Sequence, residues 1–294
     1  MTSERRTAVV VVLLLLGAGG LGVAAGAVMG RPDSSTSGRS VPAALGGAAG
    51  SGPSTGPIPT GPSLSPGRVA PRIPARSVPV YVLGPTAGGP RLYREFRLRS
   101  VADPIQAAVA GLAAAPVDPD YRSPWLGAPA EVERAGTSAT VTFARAPALT
   151  GTSAQLAAQQ VVYTVTAADP RIRTVRVVAP GLPAAGAAGR AEQSGVLAPV
   201  WLLDPVDGGS AGRRLTVSGT ASVFEATVGV EVRLGTRVLA RATATASAGA
   251  PRRGDWRATL SVPPGSYVVA AFERSEKDGA EVAVDTKRVT VNGR

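Results

Sequence analysis

The side chains able to do chemistry are few, and most come as carboxylate pairs. Asp118 and Asp120 stand beside Tyr121 and Arg122 in a proline-flanked loop. Glu225 and Glu273 each follow a phenylalanine, Phe224 and Phe272. Asp204 and Asp207 lie close to Gly208-Gly209. Paired carboxylates serve general acid/base catalysis or bind a hard cation. Each pair also has a plainer role. Asp118 and Asp120 have no third ligand near them in the chain, and a turn-and-cap role is expected. Glu225 and Glu273 either form one paired site or face solvent and close related turns, with Phe224 and Phe272 in the core. The second reading is favoured. Asp204 and Asp207 are too few for a calcium cage.

The rest of the inventory narrows the chemistry. The chain of 294 residues has no histidine and no cysteine. That removes the commonest general base, the commonest metal ligand, every Ser-His-Asp arrangement, thiol nucleophiles and disulfides. Lys277 and Lys287 are the only lysines. The expectation is a protein that is not an enzyme, with no catalytic residue, no metal and no cofactor.

The elements that position these residues fall into two regions. Over 78–181 the order is β-β-α-β-β-α-β. Val78–Leu83 and Leu92–Leu98 read as strands, the second with Leu92, Phe96 and Leu98 alternating with arginines. Asp103-Pro104 suits the cap and first turn of a helix that Pro116 stops. A hairpin around Ala135-Gly136-Thr137 follows, then a helix over Ser153–Ala168 and a closing strand at Arg173–Val178. Two helices over one face of a small mixed sheet make an α+β domain. Residues 182–198 read as an Ala/Gly hinge. From 199 to 294 short alternating strands recur at the spacing of a sandwich. Seven strands are expected, Trp256 belongs in the core, and Lys277-Asp278-Gly279 marks a hairpin. The fold class is therefore an α+β domain followed by an all-β immunoglobulin-like sandwich.

Particular strings extend this. Val80-Tyr81-Val82, Leu92-Tyr93-Arg94-Glu95, the Ala-rich helix running into Pro116, and Val161–Thr166 with Val175-Arg176-Val177 together resemble the GerMN-type sporulation/germination domain. Leu215-Thr216-Val217-Ser218-Gly219-Thr220-Ala221, Val223-Phe224-Glu225-Ala226, Gly254-Asp255-Trp256 and Phe272-Glu273 through Asp278-Gly279 resemble Gmad2, the immunoglobulin-like domain of bacterial spore germination. Tyr81, Glu95, Pro116, Ser218, Gly219, Phe224, Glu225, Phe272, Glu273, Asp278 and Gly279 are then family-motif residues of structural use. The resemblance implies an extracytoplasmic protein that acts in assembly or regulation. Its partner would be an envelope protein or, as the alternative, a peptidoglycan or other carbohydrate polymer. Such a polymer calls for aromatic platforms, and Trp125, Trp201 and Trp256 are the only tryptophans.

Residues 1–30 supply the location. Arg5-Arg6 precede an uncharged apolar run, Ala8 to Met29, that includes Val12, Leu16 and Leu21. As a helix it reaches roughly 33 Å, enough for a bilayer core of about 30 Å. Basic flanks stay cytoplasmic, so the domains would lie outside a single-pass anchor in the cell membrane. Ala25-Gly26-Ala27 is also an A-x-A-like cleavage site, and cleavage there would make the protein secreted. Residues 31–77 are rich in Pro, Gly and Ser and read as a disordered linker with an r.m.s. span of about 40 Å. The net charge of +11 is mostly arginine. Its one local concentration is Arg91, Arg94, Arg97 and Arg99, interrupted by Glu95. Nucleic-acid binders gather basic residues on a face beside a recognition element, and no nucleic-acid partner is expected here. Association of the chain with itself stays open.

Overall fold

The computed structural model describes residues 75–100 and 102–293. The apolar run and the linker up to residue 74 lie outside the described residues, while residues 75–77, read above as linker, already belong to the first strand. Among the described residues, no helix is long and apolar enough to cross a membrane.

The first domain contains β1 (Ala75–Gly84), β2 (Arg91–Ser100), α1 (Pro104–Leu112), β3 (Ala130–Ala135), β4 (Ser138–Phe143), α2 (Gly151–Ala168) and β5 (Thr174–Val178). The element order is the expected one. The sheet is not: β1 and β2 form an antiparallel ribbon of their own, and β3-β4-β5 a separate mixed sheet. Both helices pack on β1, with α1 also against β3 and α2 against β5. Asp103 caps α1, its Oδ1 accepting from the backbone N–H of Ile105 (2.9 Å) and Gln106 (3.3 Å). This satisfies two of the donors that a helix start leaves free. The helix ends at Leu112, short of Pro116. Trp125 stacks on Phe143 (ring centroids 3.9 Å apart) and donates to the Ala157 carbonyl on α2 (3.0 Å), locking the core between the sheet and that helix.

In β2 the alternation runs opposite to its apolar pattern. Glu95 and Arg97 are buried, whereas Phe96 and Leu98 are 45% and 75% exposed. The inward pair is bonded, with the Arg97 Nε left buried without a partner among the described residues. Arg97 donates to Glu95 (2.8 Å) and to the carbonyl of Gly111 at the end of α1 (3.0 Å), which also accepts from Ala114 N–H (3.3 Å).

The expected hinge is bound down. Ala188 bridges to Val175, α3 (Gln193–Val196) forms a single turn, and Leu197 bridges to Leu92 and joins the first domain's core. The second domain holds eight strands, not seven: β6 (Val200–Asp204), β7 (Gly209–Ala211), β8 (Arg214–Ala221), β9 (Thr227–Leu234), β10 (Arg237–Thr245), β11 (Gly254–Ser261), β12 (Gly265–Arg274) and β13 (Glu281–Val291). The additional β7 is three residues long, too short to show alternation, and pairs parallel with β13. The sheets run β10-β9-β12-β13-β7 and β11-β8-β6. Val217, Val230, Val232, Trp256, Leu260 and Val269 fill the space between them. The β12–β13 hairpin turns through the expected Asp278-Gly279, with Gly279 at φ 69 and Asp278 accepting from Ala280 N–H (3.1 Å).

Candidate functional site at the domain seam

A cluster of buried polar side chains converges where the two domains meet, and strands β6 and β13 set its geometry. In β6, Val200 and Leu202 point into the sandwich core while Trp201, between them, is buried in the core of the first domain. Period-two alternation thus pins both cores with three consecutive residues. Trp201 meets Tyr81 edge-on (5.8 Å) and donates its indole N–H to the Leu92 carbonyl (3.1 Å). Arg253 lies over the indole (4.1 Å) and donates to the carbonyls of Ala198 (2.6 Å), Pro199 and Thr220 (both 3.3 Å). Burial, opposed by Tyr81 and aided by Arg94, lowers the guanidinium's pKa to about 10. Gly219 of β8 leaves room for this arrangement: a Cβ there would stand 1.8 Å from the Trp201 carbonyl oxygen.

The second half of the seam comes from β13. Its inward face carries Val289 and Val291 into the sandwich, and the same face carries Asp285 and Lys287 at the other end, both buried. Lys287 Nζ donates to Asp118 Oδ2 (2.5 Å), Tyr121 OH (2.5 Å) and Asp285 Oδ1 (3.3 Å). Tyr121 donates to Asp285 Oδ1 (2.6 Å), and Asp285 Oδ2 accepts from Leu202 N–H (2.7 Å). Asp118 Oδ1 accepts from Asp120 N–H (2.9 Å). Glu95 places this loop by accepting the backbone N–H of Val117 (3.1 Å) and Asp118 (2.9 Å).

Lysine, tyrosine and two aspartates in contact are a set from which acid/base sites are made, so their state matters. Burial pushes the Tyr121 hydroxyl far up, and Asp285 and Asp118 push the same way. Tyr93, stacked on Tyr121 at 4.8 Å, is raised for the same reasons. Neither is a phenolate. Burial raises Asp285, an effect that Lys287 opposes. The three protons of the ammonium are all engaged, and each carboxylate oxygen of Asp118 and Asp285 has a donor. The cluster is a closed network that joins domains.

The carboxylate pairs expected from the chain have separate fates. Asp118 does form the expected turn, but its other oxygen is in the seam, a partnership the chain order hides. Asp120 is exposed and reaches only Thr286 Oγ1 (3.4 Å). Phe272 is buried as expected; Phe224 is not, being 59% exposed. Glu225 and Ala226 have φ of 49 and 57, and this left-handed turn rotates Phe224 out of the core. Glu273 closes the turn by accepting Phe224 N–H (2.9 Å), and Glu225 faces solvent nearby. The two glutamates line one open cleft of about 350 Å³. Asp207 pairs with Arg288 (2.5 Å). Tyr81 sits between Trp201 and Tyr163, Ser218 pairs with Arg257 across β8–β11, and Pro116 lies in the loop after α1. Among the described residues, no group of three acidic side chains is placed to hold a metal. A cleft of about 620 Å³ lies away from the seam, beside Arg91, Gln155 and Gln159.

Comparison with known proteins now bears on both halves. Residues 79–184 match the family model described as "Sporulation and spore germination". Residues 199–280 match that described as "Immunoglobulin-like domain of bacterial spore germination". The chain carries two domains of germination-related families, the second of them immunoglobulin-like. Among solved structures it is similar to the tandem GerMN domains of the sporulation protein GerM from Bacillus subtilis, at 15% identity and a TM-score of 0.33. That match covers 43% of this chain and about half, 49%, of the other. No curated protein matches. The seam is thus the joint between a germination domain and its immunoglobulin-like companion. Lys287 and Asp285, which complete it, lie beyond the matched span of the second family.

Proposed function

We propose that this chain is a non-catalytic assembly protein of the cell envelope, in which the germination and immunoglobulin-like domains act as one rigid binding unit. The family matches support a role of the sporulation and germination kind. The observation that carries the reading is the closed seam. Tyr121, Asp118, Asp285 and Lys287 bond to one another and to Leu202 across two domains, an arrangement suited to holding a shape. An assembly protein needs such a shape, so that surfaces on both domains meet a partner in fixed register. The apolar run from Ala8 to Met29 would tether the unit to the membrane, with the linker as its stalk, and the partner would be another envelope protein. All three tryptophans are buried, which leaves a carbohydrate-binding reading without its usual platform.

The test is crosslinking in intact cells followed by purification from membranes. A discrete protein recovered with the chain is the expected result. Retention on purified cell wall with no crosslinked protein would replace assembly by polymer binding. A soluble form beginning at Val28 would replace tethering by secretion.

A further inference from the structure

Strand β2 has an open edge, and its surroundings describe what would close it. The register pairs Tyr81 with Arg94 and Leu83 with Leu92. Tyr81 and Leu83 turn their backbone groups away from β2: Leu83 exchanges bonds with Arg122, Tyr81 N–H donates to Thr164 Oγ1 (3.0 Å), and its carbonyl accepts from Gln160 (2.8 Å). The outer edge of β1 is therefore sealed by α2 and the loop before Trp125. By the same alternation Leu92, Arg94, Phe96 and Leu98 turn their backbone groups outward from β2. Leu92 is covered, its carbonyl accepting from Ala198 and Trp201. For Arg94, Phe96 and Leu98 no backbone partner exists among the described residues. An open strand edge is a template for another strand.

Side chains narrow the choice of strand. Phe96 and Leu98 are exposed on one face, and Phe96 shares a crevice at the seam with Val117 and Val206, 49% and 51% exposed. This is an apolar stripe to which both domains contribute. Around it the charge is positive. Arg94 lies over Phe96 (4.9 Å), and neither Arg94 nor Arg99 has a carboxylate partner among the described residues, while the Nε of each is buried without one. A second copy of β2 laid against this edge would set like charges together, which costs stability. A lipid surface would leave the open N–H and C=O groups unsatisfied.

We infer that the β2 edge at Arg94–Leu98 takes an extended segment of a partner protein, with apolar side chains on the face of Phe96 and Leu98 and acidic ones on the opposite face, beside Arg99. This rests on the assembly reading and gives it a location.

The probe is a peptide of about eight residues, the length of an ordinary strand, alternating Val and Glu; the control alternates Val and Lys. With the full chain, the acidic peptide should slow amide exchange at Arg94, Phe96 and Leu98 about tenfold at roughly nine times its Kd. Leu98→Pro removes an outward donor from an exposed position, which edge strands tolerate. It should abolish the slowing without moving the thermal midpoint, and Leu98→Asp should do the same by charge. The inference is overturned if the basic peptide protects as well, or if protection survives in both variants. It is also overturned if those amides are already protected in the free chain. Self-association lost in Leu98→Pro would give the edge to a second copy, and binding to phosphatidylglycerol vesicles lost in the same variant would give it to the membrane. Should a crosslinked partner be retained by the Leu98→Pro chain, assembly would stand and this edge would not be its site.

Discussion

Two carboxylate pairs, Asp118 with Asp120 and Glu225 with Glu273, look alike in the chain and are used in opposite ways. In the first, Asp118 is buried between domains and meets a lysine, while Asp120 remains on the surface. In the second, neither glutamate has an ion-pair partner among the described residues. Glu273 accepts one backbone N–H, and Glu225 occupies a backbone conformation that L-residues avoid. The first arrangement joins domains; the second shapes a loop. Burial separates them. A charge removed from water requires an opposite charge and a complete set of hydrogen bonds, whereas an exposed one is indifferent to both.

The largest expected effect tests the seam. Lys287→Met leaves Asp118 and Asp285 buried without their cation, and should destabilise the protein by about 3–5 kcal/mol. Urea unfolding followed by tryptophan fluorescence is suited to this, because Trp201 reports on the joint itself. A loss within about 0.5 kcal/mol, the scale of ordinary surface substitutions, would mean that the domains dock without the cluster.

The turn should respond less. Glu273→Ala deletes a charged acceptor from Phe224 N–H, a bond of about 1.5 kcal/mol at the low end for charged groups. Chemical denaturation would show it, and an unchanged midpoint would deny Glu273 its closing role. Glu225→Gly should change stability in the other direction. A left-handed L-residue costs about 1–2 kcal/mol, and the added chain freedom of glycine offsets part of that. A net gain of about 0.5 kcal/mol is expected by calorimetry. A loss would show that the glutamate side chain itself holds the turn.

These differences also mark what could be read from the chain. The helices, the hairpins and most strands of both domains follow from caps, turn residues and periodicity, because those signals lie within a few residues of what they specify. Asp103-Pro104 and Asp278-Gly279 are examples. The β2 face was not legible in this way. Its alternating Leu and Phe suggest an apolar inner face, but Glu95 and Arg97 bond each other and the end of α1, so they go inward and Phe96 and Leu98 go out. Phe224 is misleading for a local reason, two consecutive left-handed residues that no glycine announces. The seam was hidden by distance. Lys287 and Asp118 are 169 residues apart, and nothing near either one indicates the other. The scarcity of lysine in an arginine-rich chain was the available signal. An ammonium makes three compact bonds where a guanidinium is planar and larger, and this pocket holds three oxygens around one nitrogen.

The smallest effect separates two aspartates by the sign of their pH dependence. Asp285 is raised above its ordinary pKa, burial outweighing Lys287. The folded protein therefore retains that proton at pH values where the unfolded chain has lost it, and folding is favoured on the acid side. This contribution falls as pH rises from about 3.9, the value for a free aspartate, to the folded pKa, and is flat above. Asp207 is the reverse. Burial raises it, but its hydrogen bonds from Arg288 prevail and the net shift is downward. Its contribution is complete above about pH 3.9 and is lost as pH falls through the folded value. The stability difference between wild type and Asp285→Asn should thus decline with rising pH above about 4, while the difference for Asp207→Asn should climb with rising pH below it. Slopes of the same sign would mean that Asp285 is held as a charge by Lys287, and the seam would then be an ion pair at every pH where the protein folds.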